Sequence, residues 1–187
     1  MRAAALFLAL DRAGNPSRWI NHETAIHLIA TDRVIAPMGQ TVRAFRGGVN
    51  ARTGRESHVE VSSILLTRSR VQPHLWREEY QPPLTNQALF ARDDHLCLYC
   101  GEVFPIRDLT RDHVVPRSRG GTDAWTNVAT SCRRCNQRKG ARTPEEWGME
   151  LLAVPYVPCY AEHLLLRGRN ILSDQAAFLR ARMRRTQ

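Results

Sequence analysis

The chain has 187 residues, 43% of them hydrophobic and 24% charged, which is enough apolar material for a buried core and too much for a disordered chain. Its 27 basic against 18 acidic residues give a net charge of +9, which suits a polyanionic partner such as nucleic acid and decides nothing about fold. The longest apolar run, residues 3–10, falls far short of the ~20 residues that a membrane-crossing helix needs, so no membrane partner is expected.

That first run reads as a buried strand, ended by the turn-forming residues 11–16. Asn21 is placed to cap a short helix with Ala25, Ile26, Leu28 and Ile29 on its apolar side. Short strands are predicted at 33–36, 41–45 and 58–66, with Gly47-Gly48 and Gly54 marking a loop between them. Gln81-Pro82-Pro83 has neither helix nor ladder capacity and marks a boundary. Beyond it, residues 85–93 form a helix and 109–115 a strand stopped by Pro116, and 118–123 are a loop around Gly120-Gly121. Thr143-Pro-Glu-Glu is a strong helix start, with Thr as cap and Pro at the first helical position. Ser173 is read as the cap of a last helix running into the basic residues 180–185. The fold class expected is α+β in three segments: an N-terminal α/β segment over 1–80, a module over 85–152, and a helical tail over 153–187.

Four of the five cysteines form two C-x-x-C pairs, Cys97/Cys100 and Cys132/Cys135. Each pair can curl its backbone so that both thiolates face one ion, and two pairs complete a closed tetrahedral site that selects zinc. Such a site holds a fold together and leaves no open position for chemistry. Without a credible export signal, paired C-x-x-C points to metal before disulfide and to the cytoplasm. Cys159 has no partner in sequence and is read as a buried apolar cysteine.

Between and beyond the cysteines, Asp112-His113, Pro116, Ser118, Gly120-Gly121, Asn127, Asn136, Lys139 and Gly140 resemble the signature of the HNH endonucleases, in the zinc-stabilised form with two flanking C-x-x-C pairs. The resemblance runs from about residue 85 to 152. It implies a ββα-metal module in which His113 is the general base, Asp112 and Asn136 hold a catalytic magnesium or manganese ion, and Asn127 braces the loop that orients His113. The residues agree with it. Phosphodiester hydrolysis needs a base of near-neutral pKa and charge neutralisation on the phosphate, which imidazole and a hard cation supply. Asp112 and His113 are neighbours on a strand and so face opposite sides.

Arg133, Arg134, Arg138, Lys139 and Arg142 follow with no acid before Glu145, and 134, 138 and 142 share one face of any helix that continues so far. They are expected to hold phosphates; Lys139 is the only lysine in the chain. The reading is a nuclease on DNA, cutting one strand per site, with residues 1–80 supplying a targeting contact to DNA, a partner protein or a second copy. The rival readings are a zinc-dependent nucleic-acid-binding module without catalysis, and a nuclease directed at RNA.

Overall fold

A computed structural model describes residues 6–49 and 51–183. The chain divides into two compact units, Met1–Tyr80 with Tyr160–Gln187, and Gln81–Cys159.

The first unit is built on a four-stranded sheet whose strands, in spatial order, are β2 (Pro16–Ile20), β1 (Phe7–Leu10), β4 (Glu56–Thr67) and β3 (Val34–Val49). Strand β1 (Phe7–Leu10) is wholly buried; residues 3–5 of the run that predicts it lie outside the described residues. Asp11 closes the following turn by accepting the backbone N–H groups of Ala13 and Asn15. The turn is therefore tighter than its six residues suggest, and β2 (Pro16–Ile20) begins inside it and pairs antiparallel with β1. Helix α1 (His22–Ala30) is capped by Asn21, whose Oδ1 accepts from the Thr24 N–H as expected. It covers a core of Phe7, Ala9, Ile20, Ala25, Leu28, Val61 and Leu65.

The three short strands expected next are two long ones, β3 (Val34–Val49) and β4 (Glu56–Thr67), paired antiparallel. Gly47 and Gly48 lie inside β3 and not in a loop. A Cβ at Gly47 would stand 2.3 Å from the Ser57 Oγ, which donates to the Gly48 carbonyl, so glycine leaves that hydroxyl its place. β1 reaches β4 only over Ile64–Leu66, in parallel, so the distal halves of β3 and β4 form a two-stranded ribbon.

The second unit opens with α2 (Asn86–Arg92), capped by Thr85. Strands β5 (Leu109–His113) and β6 (Val128–Cys132) form an antiparallel pair in which Leu109 faces Cys132 and His113 faces Val128. Helix α3 (Arg133–Lys139) follows β6 without a gap, and the short α4 (Pro144–Trp147) carries the expected Thr143/Glu146 capping box. One buried cation staples this unit: Arg92 donates to Asp93 and to the carbonyls of Trp125, Val128 and Tyr156. Its guanidinium lies 5.5 Å from the Trp125 ring and 5.4 Å from that of Tyr156.

Residues 160–180 return to the first unit and do not form a separate tail. Helix α5 (Tyr160–Arg167), which lies within the expected tail, accepts the Trp19 indole N–H at the Leu164 carbonyl. Helix α6 (Ser173–Arg180) buries Gln175 completely, and its side chain donates to the carbonyls of Leu6 and Ser63. The same amide oxygen accepts from the Leu172 N–H, so Leu172 and not Ser173 stands at the cap position. Arg184 and Arg185 of the expected basic end lie outside the described residues.

Candidate active site and metal centre

The four paired cysteines meet at one point. Cys97 and Cys100 sit in a loop after α2 that is closed by the Cys97 N–H on the Glu102 carbonyl and the Gly101 N–H on the Cys97 carbonyl. Cys132 ends β6 and Cys135 lies in the first turn of α3, its N–H donating to the Cys132 sulfur at 3.4 Å. All four sulfurs lie within 4.8 Å of one another, and Tyr99, Phe104, Trp147, Met149 and Leu151 wall the cluster. Burial alone would raise the Cys97 thiol, but backbone N–H donors at Cys100, Cys132 and Tyr99 bring it down to about 7. Burial first, and then the neighbouring sulfurs, push the Cys100 and Cys135 thiols up. Cys159 is partly buried and stands apart from the cluster.

Strand β5 and helix α3 set the second group of residues. Alternation on β5 turns Asp112 inward and His113 outward. Asp112 is 4% exposed. Its Oδ2 accepts the Tyr99 hydroxyl at 2.5 Å, and the Lys139 ammonium lies 3.0 Å from Oδ2 and 3.1 Å from Oδ1. Lys139 also donates to the His113 carbonyl at 2.7 Å. Burial and the carboxylate together keep the Tyr99 hydroxyl protonated. One turn earlier on α3, Asn136 donates its amide to the Thr110 hydroxyl at 2.9 Å, so Thr110 and Asp112, two apart on β5, meet Asn136 and Lys139, three apart on α3.

Asn127 ties the loop between the strands. Its amide donates to the carbonyls of Val115 and Thr122, and its oxygen accepts the Val115 N–H at 2.9 Å. Gly121 packs under the same loop so closely that a Cβ would stand 1.8 Å from the Val115 carbonyl oxygen. The closed loop presents Asp123 to β5. There Asp123 accepts two bonds from Arg111, at 2.7 and 2.6 Å, and lies 3.1 Å from the His113 Nε2.

The basic patch is smaller than the sequence suggests. Lys139 is 1% exposed and neutralises Asp112, so it is withdrawn from any surface that meets nucleic acid. Gly140 adopts a positive φ and ends α3. Arg142 therefore leaves the stripe and donates to the carbonyls of Lys139 and Arg138 at the helix end. Arg133 is exposed and binds the Arg107 carbonyl at 2.9 Å. Arg134 and Arg138 remain as exposed cations on α3. Tyr99, Arg111 and Asp123 have no place in the sequence reading. The signals for the last two were available: Arg111 shares a strand face with His113, and Asp123 is the only acid between Asp112 and Glu145.

Residues 97–152 match the family model described as HNH endonuclease. This segment is an HNH endonuclease domain. A 50-residue stretch, 26% of the chain, is 40% identical to the CRISPR-associated endonuclease Cas9 of Corynebacterium diphtheriae. The chain spans only 5% of that relative's length. Among solved structures, the Type II-C Cas9 enzyme from Actinomyces naeslundii aligns with 59% of this chain and 14% of its own, at 25% identity and a TM-score of 0.30. The HNH domain thus contains both the cysteine cluster and the β5–α3 group. Among the described residues, no helix is long and apolar enough to cross a membrane.

Proposed function

We propose that the HNH domain hydrolyses phosphodiester bonds of DNA, one strand per site, with His113 as the base. The observation that carries this reading is the placement of His113: it stands at the end of β5 with its side chain 19% exposed, held by a loop that Asn127 closes. In the step itself, a ring nitrogen of His113 takes a proton from water. The resulting hydroxide oxygen bonds to phosphorus, the bond to the 3′ oxygen breaks, and that oxygen takes a proton from solvent. The products are a 5′-phosphate and a 3′-hydroxyl. Arg134 and Arg138 supply cations for flanking phosphates, contacts that position without reading sequence.

Two ions belong to this reading. Four sulfurs within 4.8 Å of one another fit zinc, whose Zn–S bonds are about 2.3 Å. Such a site is kept reduced in the cytoplasm. For a hard divalent ion the donor chemistry fits as well: a carboxylate at Asp112 and an amide oxygen at Asn136. Asp112 already accepts the Tyr99 hydroxyl and the Lys139 ammonium; an ionised carboxylate offers about four acceptor sites, so an ion there would share the carboxylate with Lys139. Asp112 and Asn136 would hold magnesium or manganese, which supplies neutralisation of the charge that develops on the scissile phosphate. Incubating the full chain with supercoiled plasmid, in magnesium, manganese or EDTA, tests the reading. Nicking that needs the divalent ion supports it; cleavage of RNA but not plasmid moves the substrate to RNA; binding without cleavage supports the non-catalytic module.

Targeting is assigned to the first unit, through DNA, a partner protein or a second copy. Because residues 160–180 pack with the N-terminal segment, the fragment that isolates the nuclease is 81–159. It should bind zinc and nick with weaker affinity or less selectivity than the full chain. Unchanged affinity and site preference would remove the targeting role.

A further inference from the structure

We infer that Asp123 is a positioning residue for His113: its carboxylate, clamped by Arg111, holds the imidazole at Nε2 and reserves the other ring nitrogen for proton transfer. What the ring is for rests on the nuclease reading above; the contact itself does not.

The clamp is assembled from three separate pieces of chain. Arg111 and His113 are two residues apart on β5 and so project from the same side of the strand. Asp123 arrives from the loop that Gly121 and Asn127 close. Arg111 is itself anchored, its Nε donating to the Asn86 Oδ1 at 3.0 Å at the start of α2. The guanidinium fixes both carboxylate oxygens at 2.7 and 2.6 Å, and Oδ1 then meets Nε2 at 3.1 Å.

Chemistry decides what this contact does. An ionised carboxylate only accepts hydrogen bonds, so the hydrogen between the two groups belongs to Nε2. The neutral ring then carries its lone pair on Nδ1, and its orientation is set by the partner of the protonated nitrogen. Asp123 stays ionised because the hydrogen bonds from Arg111, foremost, hold its carboxyl below the usual range. Its side chain is 50% exposed, and exposed ion pairs contribute little to folding. Asp123 is thus poorly explained as a stabilising residue and well explained as an orienting one.

The test uses the full chain with Asp123→Asn and Asp123→Ala, folding being checked by zinc content and thermal melting. Nitrogen-15 histidine NMR of the wild type should show the His113 ring protonated at Nε2, and both variants should show a mixture of tautomers. On plasmid with magnesium, kcat should fall by at least about tenfold, short of the roughly 10²–10⁴-fold expected on removing a general base, while DNA affinity is unchanged. An unchanged tautomer, an unchanged kcat, or a loss confined to DNA affinity overturns the inference. If the wild-type chain does not nick at all, the nuclease reading falls, and the tautomer comparison still decides whether Asp123 sets the ring.

Discussion

The Lys139 ammonium lies 3.0 Å from Asp112 inside the HNH domain, with the two side chains 1% and 4% exposed. The only lysine of the chain is therefore spent on a buried ion pair between α3 and β5. Removing one partner of such a pair leaves an uncompensated charge, at a cost of about 3–5 kcal/mol.

The first expectation follows from that pair. Asp112→Ala should destabilise the HNH domain by about 3–5 kcal/mol as well as abolish cleavage, so it is not a clean probe of metal binding. Adding Lys139→Met should recover most of the stability and none of the activity. Denaturant melts of the two variants check this; a single variant as stable as wild type would show that the pair contributes nothing.

The second concerns the cysteines. Cys97→Ser or Cys135→Ser should lose equimolar zinc and unfold the second unit, because a closed zinc site supplies folding free energy directly. Metal analysis beside circular dichroism decides it. A Cys135→Ser chain that keeps its structure without zinc would show that the metal does not hold the fold together, and a wild-type chain without zinc would show that the cluster is not a metal site.

The third concerns the loop that carries Asp123. A Cβ on Gly121 would stand 1.8 Å from the Val115 carbonyl oxygen and 2.7 Å from its carbon, backbone atoms that cannot step aside. Gly121→Ala should cost about 1–3 kcal/mol, the usual range for overpacking, and should slow nicking because Asp123 and Asn127 lose their places. Nicking at the wild-type rate would separate the loop from the site.

The fourth concerns pH and the first unit. Burial raises the Asp174 carboxyl, but hydrogen bonds from the Ser63 hydroxyl and the Gln40 N–H outweigh it, and its folded pKa is depressed. A depressed folded pKa gives stability that is present above the unfolded value and lost as pH falls through the folded one. The first unit should therefore weaken in acid below the ordinary carboxylate range. Asp174→Asn should lower stability at neutral pH and flatten that acid limb. An acid limb unchanged in the variant would remove Asp174 as its source.

What was legible in the sequence was what a few neighbouring residues decide. The Thr143 capping box, the Asn21 cap and the two C-x-x-C pairs each lie within a short window, and all four paired sulfurs converge. What was missed depends on closure in three dimensions. Charge is normally a surface property, so the sequence points Lys139 at a phosphate; only the packing of α3 on β5 shows that Asp112 claims it. Gly47-Gly48 signals a loop by composition, yet the pair lies inside β3, where Gly47 leaves room for the Ser57 hydroxyl across the ribbon. Tyr99 reaches Asp112 from a loop and nothing in its spacing announces the contact, whereas Asp123 is marked in the sequence only as the one acid between Asp112 and Glu145.

The most direct measurement is the magnesium-dependent nicking of supercoiled plasmid by the wild-type chain and by His113→Ala, with zinc content and DNA binding determined on the same samples. His113→Ala should keep its zinc, its fold and its DNA affinity while the rate falls by about 10²–10⁴-fold. A variant that nicks within a few-fold of wild type would contradict it, and His113 would no longer be the base.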